Sequence, residues 1–347
     1  MQENLELVVL NLIKELDLVN KYNTENSRFN RERLLKITGN IWGEYRKKYS
    51  KSYAHGFNHI KSVVTQSFKI LDWYLQNIDS DKFNSLIQEI EKNYRIRSIS
   101  SLFTCFVLAG VLHDVYQDSD RKDHHTKAKN LCIGIGIGAD ENGGERFPHS
   151  LESLIHSGMM KLVSEMCYQH RASFTGKFKN IFCEIFNTAD RDVPDLFNIA
   201  KRSYLHNLDC LKRDPNYEME IKEFETTFKI PVNKIVNVGV DALESSEIEF
   251  TINSKYKYNE LVYAGVPKEF ANVYIHVWEK YSRDGYVFKD MKVASLYFKY
   301  YGNTISKLFN DIDEYLKDTK LFIRLINSIR DSVIYDLMGI EIGRKND

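Results

Sequence analysis

Proline is scarce in this chain: five occur in 347 residues, at Pro148, Pro194, Pro215, Pro231 and Pro267. With so few helix breakers, and with apolar residues recurring every three or four positions over long windows, little interrupts a helical reading. Cysteine is sparse too. The five present (Cys105, Cys132, Cys167, Cys183, Cys210) are odd in number and lack any Cys-x-x-Cys spacing. They argue for buried free thiols in a reducing compartment and against a disulfide framework. An excess of one charge is missing as well, since Lys plus Arg and Asp plus Glu both total 48. That excludes a global field steering the chain onto nucleic acid or anionic lipid, and leaves open only a local patch. The longest apolar stretch, Leu102 to Leu112, is too short to span a bilayer. The opening Met-Gln-Glu-Asn-Leu-Glu is acidic where a signal peptide needs positive charge. The expectation is a soluble, cytoplasmic protein without a membrane or nucleic-acid partner. Its oligomeric state is left open.

What is present reads as an all-α fold. Leu5, Val8, Val9, Leu12 and Ile13 mark an amphipathic first helix, and further helices are expected over 31–49, 55–76, 101–116, 122–132, 151–170, 178–190 and 194–212. The segment Ser101 to Tyr116 is apolar on nearly all sides, as a central helix should be. No repeat, Gly/Ser linker or low-complexity tract divides the chain. Residues 1–215 form one expected domain, and 216–347 a mostly helical C-terminal extension. In that extension Val232 to Thr251 reads as short strands or a bent helix, with helices following from about Asn259, Asp290 and Thr304.

The chemistry concentrates in four residues: His59, the adjacent pair His113-Asp114, and Asp190. Imidazole and carboxylate suit a catalytic divalent cation that keeps positions open for water and substrate. His55 and His59 stand four apart, one above the other if helical, so that His55 reaches a substrate as general acid while His59 binds the ion. The competing reading of His55 is a solvent-facing residue at a helix start. Mid-helix, His113 and Asp114 would diverge by about 100°. They can share one ion only where a helix ends, and the polar Tyr-Gln-Asp-Ser-Asp that follows supplies that end. Asp190 then closes the set from another helix. Two imidazoles and two carboxylates suit Mg²⁺, Mn²⁺, Fe²⁺ or Co²⁺, with Zn²⁺ less favoured, and hydrolysis of a phosphoester or phosphoanhydride is the natural chemistry.

In order and context these residues resemble the H…HD…D signature of the HD-domain metal-dependent phosphohydrolases, an all-helical superfamily. The resemblance covers Tyr53 to Asp190, about half the chain, and implies that His59, His113, Asp114 and Asp190 are metal ligands. Tyr53 to His59 is similar to the Tyr-His-x-x-x-His element of cyclic-nucleotide phosphodiesterases, whose first histidine is an acid. Here Ala54 is inserted after the tyrosine, and Gly56 replaces an asparagine. His113-Asp114-Val-Tyr-Gln117-Asp118 resembles the HD-x-x-Glu-Asp element of ppGpp hydrolases, with Gln117 in place of the water-activating glutamate and Asp118 able to take that role. The resemblance implies a nucleotide-like substrate, with Asp114 or Asp118 orienting the nucleophile. Some members hold a second ion, for which His124 or His125, His156 and His170 are candidates. A solvated polar turn is the competing reading of His124 and His125. Arg171 heads the candidates for substrate phosphate, with Arg121, Lys122 and Arg191 behind it. His149, His206 and His276 are assigned to structure or surface.

A cyclic-nucleotide or oligonucleotide phosphodiesterase, a ppGpp-type hydrolase, oxidative chemistry at a di-iron centre, and a degenerate nucleotide-binding or interaction module remain alternatives. Gly134-Ile-Gly136-Ile-Gly138 lacks the preceding strand and following helix of a dinucleotide fingerprint, and reads as a lid or an inert loop. The basic run Arg46-Lys47-Lys48 to Lys51 reads as a solvated helix face, or as a guide for an anionic substrate.

Overall fold

The computed structural model describes residues 4–23, 28–49, 54–117, 122–134, 155–171, 177–191 and 295–317, with isolated positions (174, 193–195, 197–198, 201, 205, 324, 328, 332) besides. Among these the protein is all-α, with no strand. Two compact units form, Gln2–Arg191 and Asp192–Asp347, Met1 being grouped with the second. Residues 206–294, which contain the 215 boundary, Val232 to Thr251 and the expected helices from Asn259 and Asp290, lie outside the described residues.

The first unit contains α1 (Leu5–Glu15), α2 (Leu18–Tyr22), α3 (Arg31–Tyr49), α4 (Phe57–Asn77), α5 (Ser80–Tyr94), α6 (Ile99–Leu112), α7 (His124–Cys132), α8 (Ser157–Gln169) and α9 (Ile181–Ala189). At its centre is α6, where Phe103, Cys105, Phe106, Val107, Leu108, Ala109, Val111 and Leu112 are all fully buried. A helix without a polar face must be covered on every side, and α3, α4 and α8 cover it. Phe103 stacks edge-on against Phe68 of α4 at 4.7 Å between ring centroids. Around this core, α1 packs on α3 and α4, α9 on α4 and α8, and α7 lies along α8.

Local chemistry sets the helix limits. Asn4, Asp79, Ser98 and Asn180 each accept a backbone N–H with the side chain, capping α1, α5, α6 and α9. Two glycines permit close approach. A Cβ on Gly110 of α6 would lie 2.7 Å from Val64 Cγ2 of α4. A Cβ on Gly158 would lie 1.8 Å from the Tyr94 carbonyl oxygen, so the start of α8 presses on the end of α5.

Several expectations are corrected. The third helix was expected from His55, but Gly56 is the cap and α4 starts at Phe57, which leaves His55 in the preceding turn. Helix α6 ends at Leu112 instead of running on to Tyr116, and α5 was not foreseen at all. In the second unit Ser295–Lys317 forms one continuous helix, α10, so Thr304 is interior and starts nothing. Leu296, Tyr297, Tyr301, Ile305 and Leu308 form its buried stripe. No single helix among the described residues is long and apolar enough to cross a membrane.

Candidate metal centre

Helix ends converge on one point inside the first unit. His59 lies in the first turn of α4, and His124 is the first residue of α7. His113, His170 and Asp190 are the C-cap residues of α6, α8 and α9, and Asp114 stands in the turn after α6. A helix end lets adjacent side chains splay toward one target, which mid-helix geometry forbids. The C-terminal ends of three helices also carry partial negative charge, which favours a cation nearby.

Two ligand sets result. In the first, His59 Nε2 lies 3.3 Å from His113 Nε2, 3.5 Å from Asp114 Oδ2 and 3.3 Å from Asp190 Oδ1. His113 Nε2 lies 3.3 Å from Asp114 Oδ2 and 3.2 Å from Asp190 Oδ1. In the second set the other oxygen, Asp114 Oδ1, lies 3.3 Å from His124 Nε2 and 3.6 Å from His170 Nε2, and those two nitrogens are 3.1 Å apart. Ligand bonds of about 2.1 Å around one cation give edges of about 3.0 Å for an octahedron and about 3.4 Å for a tetrahedron. Both sets fall in or near that window; His59, His113 and Asp190 could hold a metal ion, as could Asp114, His124 and His170, and His55 with His59 and Asp114 makes a third, overlapping group. Asp114 faces both sets.

The tautomers agree with this. His113 Nδ1 faces the Gly110 carbonyl at 3.0 Å and His170 Nδ1 faces the Cys167 carbonyl at 2.6 Å. A carbonyl only accepts, so each Nδ1 carries the hydrogen and each Nε2 presents a lone pair inward. The Nε2 lone pairs of His113 and His170 thus face carboxylate oxygens, an arrangement that a cation between them would suit.

Without a cation a proton takes that place. Burial alone would lower the His113 imidazole, but the Asp114 and Asp190 carboxylates outweigh it and raise it to about 10. Burial would raise Asp114, yet the His113 and His55 imidazoles hold it well below the ordinary carboxylate range. Asp190 is likewise held well below that range, burial being outweighed by His113 and by hydrogen bonding from His59.

The remaining candidates distribute as follows. His55 Nδ1 lies 2.8 Å from Asp114 Oδ2, and its side chain is 18% exposed against 5% for Asp114. His55 is therefore at the site without being on the helix of His59. His125 and His156 do not join His170. His125 packs its ring on Tyr168 at 5.5 Å, and its imidazole is pushed down to about 4 by burial and by the Arg171 guanidinium. His156 caps α8 by accepting the Met159 N–H, one full helix of 13 residues away from His170. His124 takes the second-set position instead. Its signal lay in phase: His124, Ala128, Leu131 and Cys132 share the buried face of α7, and His125 does not. Arg171 follows His170 and donates from Nη1 to the Lys122 carbonyl at 2.9 Å, while the Lys122 side chain is exposed. Asp118 and Arg121 lie outside the described residues. Lys48, from the basic run, sits 5.9 Å above the Tyr116 ring, and Tyr49 donates its hydroxyl to the Val111 carbonyl. The end of α3 is thereby fixed beside the His113-Asp114 turn.

Sequence reasoning missed that Asp114 faces both sets, and that buried Asn187 hydrogen-bonds the carbonyls of Gln169, His170 and Arg171. Comparison with known protein families, curated proteins and solved structures finds no match to this chain.

Proposed function

We propose that this protein is a metal-dependent phosphohydrolase of the HD type, acting on a phosphate ester or anhydride of a nucleotide-like molecule with two divalent cations. The observation that carries this reading is the split of Asp114, one carboxylate oxygen to each histidine set. When bound, such cations supply Lewis acidity that polarises a phosphoryl oxygen and acidifies a water.

The chain's own groups divide the remaining tasks. His55 delivers a proton to the leaving oxygen, oriented by its 2.8 Å contact with Asp114 Oδ2. Arg171 offers the rest of its guanidinium to the non-bridging oxygens, with Nη1 anchored on the Lys122 carbonyl. Asp114 or Asp118 orients the nucleophile, and because both oxygens of Asp114 face imidazoles, Asp118 is the candidate we favour.

The test is metal analysis of the purified chain, then a screen of mono-, tri- and cyclic nucleotides and ppGpp with Mn²⁺ or Mg²⁺. Release of phosphate or pyrophosphate, or ring opening, supports the reading and identifies the subclass. A metal-loaded protein that hydrolyses none of them sinks it. The donor set also favours a second reading, oxidative chemistry at a di-iron centre, because His124 and His170 add two imidazoles. Oxygen consumption by the Fe²⁺-loaded protein in the presence of an organic phosphate would select it.

A further inference from the structure

Asn187 touches none of the six ligand side chains' metal-facing atoms, yet it joins the segments that carry two of them. Its side chain is buried, in the last turn of α9 and three residues before Asp190. From Nδ2 it donates to the carbonyls of Gln169 and His170 at 2.8 Å each and of Arg171 at 3.1 Å. These carbonyls end α8, where no intrahelical donor remains for them. Its Oδ1 accepts from Arg191, Nε at 3.2 Å and Nη2 at 2.9 Å. Carbonyls only accept and a guanidinium only donates, so the carboxamide fits one way round. Aspartate would set an anion against three carbonyl oxygens, and leucine would leave them without this donor.

Resting on the two-ion reading above, we propose that Asn187 is a positioning residue that holds the end of α8, and with it His170, in register with Asp190, so that both ligand sets can be filled together. His170 depends on its backbone twice over. Asn187 fixes the carbonyls around it, and the Cys167 carbonyl fixes its ring through Nδ1. Asp190 needs no such help from Asn187, because Phe186 and Ala189 beside it are buried core. Loss of Asn187 therefore acts on the second set selectively.

The experiment titrates Mn²⁺ into the full chain and into Asn187→Asp and Asn187→Leu, reading bound metal per chain and the electron paramagnetic resonance spectrum. Wild type is expected to take up two ions and show the exchange-coupled signal of a manganese pair. The variants are expected to keep the first ion and bind the second about 10- to 100-fold more weakly, with the signal of an isolated ion. Asp72→Asn is the control for mere loss of stability. It breaks a cluster with Lys21, Tyr22 and Gln76 away from the site, and should leave the pair signal intact. Should the position 187 variants fail to fold, Arg191→Leu frees the carboxamide to turn, and is expected to weaken the second ion to a lesser degree. Variants that bind both ions as wild type does, or lose both in proportion to stability as a generic core defect would, overturn this inference alone. A wild-type chain that takes up one ion overturns the two-ion reading and this inference with it.

Discussion

The two ligand sets differ in charge and in provenance. The first combines two imidazoles with oxygens from two carboxylates, drawn from the ends of α4, α6 and α9. The second has two imidazoles from α7 and α8 and a single oxygen, borrowed from Asp114. Full negative charge binds a divalent cation more strongly than neutral nitrogen does in a buried site. The first set should therefore fill first and empty last, with the second tuned by whatever positions α7 and α8.

The change with the greatest expected effect is Asp114→Ala, which removes the shared ligand. Both ions should be lost and activity should fall by more than about 100-fold, beyond the loss produced by outer partners of metal ligands. Retention of either ion would show the sets to be independent. Next, His113→Ala should empty the first set, whereas His124→Ala should leave one ion per chain by metal analysis. The comparison breaks if His124→Ala empties both.

Gly110→Ala acts on the packing between the sets' supports. Its Cβ would meet Val64 at 2.7 Å, forcing α4 and α6 apart at a cost of about 1–3 kcal/mol in denaturant unfolding. Because α4 carries His59 and the end of α6 carries His113, the first ion should weaken more than the second. An unchanged unfolding midpoint would refute the tight contact.

The mildest effect is on pH dependence. In the metal-free protein the His113 imidazole is raised from 6.5 to about 10, so its proton contributes stability that is whole below pH 6.5 and lost as pH rises through 10. A cation displaces that proton. The melting temperature of metal-free protein should therefore fall across this window, and that of Mn²⁺-loaded protein should fall less. Parallel profiles would mean that proton and cation do not compete there.

Much of this was legible in the residues. The 3.6-residue period marks α1 and α3, and the apolar run of α6 announces a core helix followed by an abrupt polar end. The His113-Asp114 pair could be picked out because adjacent His and Asp share a target only where a helix stops, and His59 and Asp190 by their order and context on either side of it. Helix α5 was legible and overlooked: Phe83, Leu86, Ile87, Ile90 and Tyr94 recur at helical spacing, although only Ile90 and Tyr94 are buried. The second set was half legible. His124 and His125 are adjacent, and the phase of a nine-residue helix, set by its packing on α8, decides which one faces inward. Asn187 gave little sign: the groups it donates to are backbone carbonyls, which every residue has, and only Arg191, four residues on, was visible as a side-chain partner.

Ligands placed at helix termini make the centre indifferent to some insertions and intolerant of others. Extra residues in the segments joining one helix to the next change connecting length, and leave the converging termini where core packing holds them. One residue added inside α6 would swing the His113-Asp114 pair by about 100° and push it about 1.5 Å along the axis, away from His59 and Asp190. Divergence in this protein's lineage should accordingly accumulate as length variation between helices, while the register within each ligand-bearing helix stays constant.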